Sequence, residues 1–487
     1  MKDHSAGKIL AILLGLTLLA FLVHGYHPGA EDDGVYLPAI KHNLNPDLYP
    51  HDSDFFALQL QATVFDKLVA GSVRLSHLPL PVVVLAWHLL TIFLILWGCW
   101  RISCLCFPEQ HARWAAVCTV AALLTLPVAG TALYLVDQNL HPRALATAAI
   151  LGAVAAAMER RIWTVAAFLA VACVMHPLMG SFGVSCCVFL LWKSTELKIP
   201  ATVWMTLAIP IGWVFEPTSA AWQQAAHTRD YFYLSAWHWY EWIGIFAPLL
   251  ILWWFGRLGR AARLPVFARL SSRLLLYGLF QFAVALIMIL PPQLDRLKPF
   301  QPMRYLHLLY LLMFLMAGGL VGQRVLRTSW IRWLALFLPL SVGMFVAQRQ
   351  TFPASDHIEW PGAVPRNQWL QAFLWIQQNT PQGSLFAVGS YYLQRPGEDV
   401  YSFRAWAERS ALADAVKDAS VATQVPRLAP RWQREVQAQV GWEHFQKADF
   451  DRLRAEYGVN WVVVERPRAP DLSCPYQNDA VLVCRIE

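Results

Sequence analysis

Three consecutive carboxylates, Glu31, Asp32 and Asp33, stand a few residues past the end of an apolar run at 9–23, and Asp52-Ser-Asp54 follows behind His51. Carboxylates at a membrane surface can take a proton from a hydroxyl or amine, or hold a divalent cation. In extended chain Glu31 and Asp33 would share a face, and Asp52 and Asp54 would likewise offer two oxygens to one metal. The competing reading is a solvated acidic loop whose aspartates cap a helix over 35–40. The triplet is taken here as the catalytic candidate. Asp52 and Asp54 are secondary, substrate-binding candidates, because such pairs are common in loops.

A basic set accompanies them. His141 and Arg143 open one apolar run within NLHPR, His176 precedes Pro177 near the end of another, and Arg304 opens a third within QPMRY. An arginine at the end of an apolar helix offers forked donors to a phosphate at headgroup depth. The alternatives are snorkelling to lipid or pairing with an acid for the arginines, and packing for His176. His141, Arg143, His176 and Arg304 are kept as substrate-binding candidates.

The elements that must position these residues are hydrophobic. The 487 residues are 57% hydrophobic and only 15% charged, with 23 tryptophans, well below the charge of an ordinary soluble domain. Apolar runs near 9–23, 79–99, 114–130, 140–158, 162–179, 181–192, 200–215, 241–256, 274–291, 304–322 and 331–347 predict about eleven membrane-spanning helices. Two of these are separated only by a tight turn near 177–181. The formal charge of +7 sits in alternate short loops, which is a membrane-orientation signal and argues against nucleic acid as a partner. That pattern predicts a cytoplasmic N-terminus and an external C-terminus. The helix interiors hold essentially no Asp, Glu, Lys or Arg, which argues against an ion-coupled transporter or proton pump and moves chemistry to the outer surface.

Composition divides the chain into a membrane domain, 1–347, including a first external loop over 25–78, and an external α/β domain, 348–487. Within the latter, helices are expected over 366–379, 408–418, 431–440 and 449–457, with strands over 384–388, 461–465 and 480–486. Seven of the nine cysteines lie in or beside apolar runs; Cys474 and Cys484 are the two in the polar part and would pair in an oxidising compartment. The segment 54–68 is amphipathic and is expected to lie on the membrane.

Taken together, these features resemble the GT-C class of membrane glycosyltransferases, familiar from protein O-mannosyltransferases and aminoarabinose transferases. Glu31-Asp32-Asp33 match the position of that class's acidic motif in the first external loop. HPRALATAAI, the His176-Pro177 pair and the tail from NQWLQAFLWIQQNTP to EYGVNWVVVE are similar to uncharacterised bacterial proteins of GT-C-like layout. The resemblance implies a polytopic α-helical membrane protein with a small C-terminal α/β domain in a bacterial inner membrane, the C-terminal domain being periplasmic. It implies transfer of a sugar from a polyprenyl-phosphate donor to a lipid or envelope glycan acceptor. A carboxylate of the triplet would be the base, and Arg143 and Arg304 would stabilise the departing phosphate. No cofactor is required, although a divalent cation is compatible with the acids. The competing function is non-enzymatic: a transporter of lipid-linked oligosaccharide, or an envelope assembly scaffold built on a degenerate transferase fold.

Overall fold

The protein is described from a computed structural model, which covers residues 6–61, 63–192, 216–395, 399, 401–467 and 471–486. The chain divides into two compact units. The first comprises residues 1–25, 86–217 and 230–347, and the second 26–85, 218–229 and 348–487. The second unit therefore unites the first loop and a short central segment with the C-terminal part, where composition alone grouped the loop with the membrane helices.

The first unit is helical. Among the described residues, six helices are long and apolar enough to cross a membrane: Ala6–His24, Leu80–Cys106, Trp239–Ala261, Pro265–Ile289, Pro302–Leu326 and Trp330–Thr351. Three shorter apolar helices, Pro142–Met158, Ile162–Met175 and Pro177–Leu191, accompany them. The chain is a multi-pass membrane protein, but eleven spans are not found among the described residues. The run at 114–130 stops being helical at Ala122. Pro127 has no amide hydrogen to continue the helix, and Gly130, at φ +61°, lies in the short β1–β2 hairpin (Pro127–Val128 and Leu133–Tyr134). The expected span at 200–215 lies outside the described residues. The tight turn is present and falls at His176, between two helices that pack on each other.

The helix running to Val321 lies at the centre of this unit, with 83% of its most apolar window buried. Its close partner is Gln110–Ala122. A Cβ on Gly318 would meet Thr119 Oγ1 at 2.2 Å and one on Gly322 would meet Ala115 Cβ at 2.4 Å. Small residues four apart let the two backbones approach where lipid gives no hydrophobic drive to association. By contrast, the window of Trp330–Thr351 is 0% buried, and its apolar surface is suited to lipid.

The second unit carries a five-stranded sheet ordered β4-β3-β5-β7-β6: β3 Leu385–Ala387, β4 Ser410–Ala411, β5 Trp461–Glu465, β6 Ser473–Gln477 and β7 Val481–Arg485. β3 pairs in parallel with β4 and β5, and β7 is antiparallel to β5 and β6. Alternating side chains of the sheet bury two clusters. Phe386, Val463, Val481 and Val483 pack with helix Gln368–Asn379 on one side. Ala387, Val462, Val464 and Cys484 pack with Phe450 and Leu453 of helix Lys447–Tyr457 on the other. Cys474 and Cys484 form a disulfide between β6 and β7.

Residues 54–68 do not form one amphipathic helix. They contribute to Asp54–Leu60 and Phe65–Ser76, with Phe55, Phe56 and Phe65 in the core. The helix expected over 408–418 is likewise replaced: β4 occupies its start and a helix begins only at Lys417. Asp414 stops it from starting earlier, because its Oδ1 accepts the Val416 and Lys417 N–H groups, at 2.7 and 2.6 Å, as a cap.

Candidate functional site

Residues 28–34 form a tight turn held by the C-terminal half of the chain. Gly29 accepts the Ser402 N–H at its carbonyl (3.0 Å), and Trp406 Nε1–H donates to Pro28 O (3.2 Å). Gly29 has φ +77°, and a Cβ there would lie 2.3 Å from Trp406 Nε1, so this position admits only glycine. Glu31 follows at φ +51°, an uncommon left-handed conformation for a side chain of its size. The turn separates the three acids. Asp33 folds back so that its Oδ2 accepts the Gly29 N–H at 2.7 Å, and it is 2% exposed. The side chains of Glu31 and Asp32 remain 50% and 41% exposed.

The two exposed acids share a partner that sequence reasoning missed. Lys417 Nζ lies 2.9 Å from Glu31 Oε2 and 3.0 Å from Asp32 Oδ1. Burial pushes the Lys417 ammonium down, but Asp32 and Glu31 outweigh it and hold its pKa above the ordinary lysine value. Lys417 is almost four hundred positions away and begins an unremarkable polar helix, so no local pattern announces it.

Behind the turn lies a second group absent from the sequence reading. His27 Nδ1 is 3.1 Å from Tyr401 Oη, and Tyr401 O–H donates to Glu359 Oε2 at 2.8 Å. His27 is stacked on Phe352 with ring centroids 3.8 Å apart. Burial lowers the His27 pKa to about 3 and raises that of Glu359 to about 8. The two groups, 3.7 Å apart, are therefore both neutral near pH 7, a polar contact rather than an ion pair.

Asp52 is placed in a structural role. Its Oδ2 accepts the Ala411 N–H at 2.9 Å and pairs with Arg404, whose Nη1 and Nη2 reach Asp418 at 2.8 and 2.9 Å. The Asp52 side chain is fully buried, which leaves no surface for the substrate expected of it. Asp54 is exposed in the first turn of its helix, where a carboxylate suits the electropositive helix end. Among the described residues no three His, Cys, Asp or Glu side chains group as metal ligands. A cation bound by Glu31 and Asp32 would have to displace the Lys417 ammonium.

In the first unit the four basic candidates are brought together. His141 and His176 are the N-caps of helices Pro142–Met158 and Pro177–Leu191. The Nδ1 of each accepts a backbone N–H, from Arg143 (3.0 Å) and Met179 (3.3 Å) respectively. Each neutral ring therefore carries its hydrogen on Nε2. The rings lie 6.3 Å apart, so two helix N-termini converge. Arg143, 3% exposed, donates from Nη2 to Asp137 Oδ1 at 2.7 Å. Arg304 is 9% exposed, and the charges of Arg143 and Arg304 both act on His176 and on His307. His307, which the candidate set left out, donates from Nε2 to Leu135 O at 2.8 Å. Its place three residues after Arg304, on the same helical face, was the available signal.

No family model matches the chain, and no curated protein matches it. Solved structures similar to it include the oligosaccharyltransferase AglB from Archaeoglobus fulgidus in complex with an inhibitory peptide and a dolichol-phosphate. That match has 10% identity and a TM-score of 0.48, and covers 95% of this chain and 70% of that one. An A. fulgidus oligosaccharyltransferase complex with zinc and sulfate matches at 10% identity and TM-score 0.47, over 94% and 68%. The arabinofuranosyltransferase AftD from Mycobacteria matches at 16% and 0.48, over 99% of this chain but 42% of its own. All three are glycosyltransferases, the kind of enzyme the sequence resembles. At these identities and scores the likeness assigns neither family nor activity, and the function has to come from the residues.

Proposed function

We propose that the chain is a membrane glycosyltransferase that moves a sugar from a polyprenyl-phosphate donor to a lipid or envelope glycan acceptor at the outer face of a bacterial cytoplasmic membrane. The observation that carries this reading is the convergence of His141, Arg143, His176 and Arg304 in the first unit. Buried guanidinium groups, one of them shared with Asp137, and imidazole Nε2–H groups at two helix N-termini offer several donors to an oxyanion among apolar helices. A phosphate attached to a lipid satisfies both features.

The chemistry then needs a base. An acceptor hydroxyl would lose its proton to Asp32, with Glu31 the other candidate, as its oxygen bonds to the anomeric carbon. The bond from that carbon to the phosphate oxygen breaks, and polyprenyl phosphate leaves with the electron pair. Arg143, Arg304 and the imidazole N–H groups would stabilise the charge that develops on the phosphate. Asp33, closed onto Gly29, would position the turn instead of taking the proton. The Lys417 contacts favour the second reading, in which the acids are committed to an ion pair and the protein is a non-enzymatic transporter or scaffold. A transport assay separates the two: sugar-loaded polyprenyl phosphate is placed in proteoliposomes with acceptor, and glycosidic product is measured beside lipid movement. Product formation that falls with R143Q and R304Q supports the transferase; lipid movement with no new glycosidic bond overturns it.

A further inference from the structure

Arg229 is used by neither reading. It follows helix Ala220–His227, which packs on helix Lys417–Gln424 and is pinned there by Trp222 Nε1–H donating to Thr423 O at 3.0 Å. The residue is 8% exposed, and its Nε and Nη2 are buried with no acceptor among the described residues. A buried guanidinium without a partner is unfavourable unless an anion completes it. The charge of Arg229 also acts on another cation, Lys417, whose helix packs on the one that Arg229 follows. Two cations brought together by packed helices, one on its helix and one just past the end of the other with idle forked donors, fit an oxyanion with several acceptor oxygens. The half-exposed side chains of Glu31 and Asp32 leave the Lys417 end open to solvent.

We infer that Arg229 and Lys417 form a binding site for a phosphate-class oxyanion in the second unit, separate from the basic set of the first. The Arg229 fork takes two of its oxygens and Lys417 a third. To do so, the Lys417 ammonium loosens from Glu31 and Asp32, so that occupancy frees those carboxylates. The phosphate is either free in solution or the headgroup of a lipid.

The test uses the full chain in nanodiscs of neutral lipid and equilibrium dialysis of radiolabelled inorganic phosphate. One component of saturable binding should weaken at least about tenfold in R229Q and in K417Q, the worth of a charge-assisted hydrogen bond. That component should persist in R304Q, so its fate is independent of any donor phosphate in the first unit, and in K447Q, an exposed lysine of the same unit. R229K, which keeps the charge and loses the fork, should bind with intermediate strength and serves if R229Q does not fold. Polyprenyl phosphate added to the discs displaces the label if the source is lipid; only soluble phosphate does so if it is free. Absence of saturable binding in the unaltered chain, or equal binding by R229Q, R229K and K417Q, overturns the inference.

Discussion

Asp32 and Asp33 are neighbours with opposite fates. The Gly29 N–H takes Asp33 out of solvent while Asp32 stays half-exposed beside Lys417. D33N should therefore lower thermal stability, by about 1–3 kcal/mol, as read from unfolding of the purified protein, whereas D32N, at a half-exposed ion pair with Lys417, should cost less, within about 1 kcal/mol. The His27–Glu359 contact gives a pH signature. Glu359, raised from 4.5 to about 8, keeps a proton in the fold that the unfolded chain has lost, so its contribution is whole below pH 4.5 and is lost as pH rises through 8. His27, lowered from 6.5 to about 3, lacks in the fold a proton that the unfolded chain binds, so stability falls as pH drops from 6.5 to 3. The two slopes oppose each other between 4.5 and 6.5, where the contributions of this pair offset. Above pH 6.5 Glu359 alone of this pair acts, with Asp399 and Asp356 adding to its penalty and the Tyr401 hydrogen bond offsetting part of it. Thermal unfolding followed from pH 6.5 to 8 should decline in the unaltered chain and decline less steeply in E359Q. The acids of the turn were legible in the sequence because three adjacent carboxylates are unusual beside an apolar run. Lys417, Tyr401 and Glu359 were not, because their partners come from far along the chain, and Arg229 was not, because it looks ordinary where it stands.

At the scale of elements, the first loop is a folded part of the second unit. Asp52 meets Arg404, Tyr49 O–H donates to Arg404 O at 2.9 Å, and Lys41 Nζ lies 2.6 Å from Glu408 Oε1. D52A leaves a buried guanidinium with one acid fewer and should cost about 3 kcal/mol or more, while D54A, at an exposed helix end, should stay within about 1 kcal/mol. Chemical denaturation of both variants checks the contrast. Helices Gln368–Asn379 and Lys447–Tyr457 and strand β5 lie close to where periodicity and β-branched residues put them. Strand β6 escaped because Pro475 and its exposed, alternating side chains carry no strand signature. The 408–418 segment misled because Asp414 caps a later start and Asp52 holds Ala411 in the sheet, both tertiary effects that propensity does not contain.

For the whole molecule, a helical membrane protein with a small C-terminal sheet domain was readable from hydropathy, but the number of spans was not. A 17-residue run that contains Pro127 and Gly130 passes a composition test and fails as a helix. The disulfide Cys474–Cys484 fits a C-terminal unit outside the cytoplasm, so a thiol reagent should label neither cysteine before reduction and both after it. The central claim is that Asp32 and Glu31 supply the base for sugar transfer. Its most direct test is mass analysis of envelope lipids and glycans from cells lacking the protein, restored with either the unaltered chain or D32N/E31Q at equal membrane levels. The predicted result is a sugar modification that disappears without the protein, returns with the unaltered chain and stays absent with D32N/E31Q. Full restoration by D32N/E31Q, or no glycan change in cells lacking the protein, would contradict it.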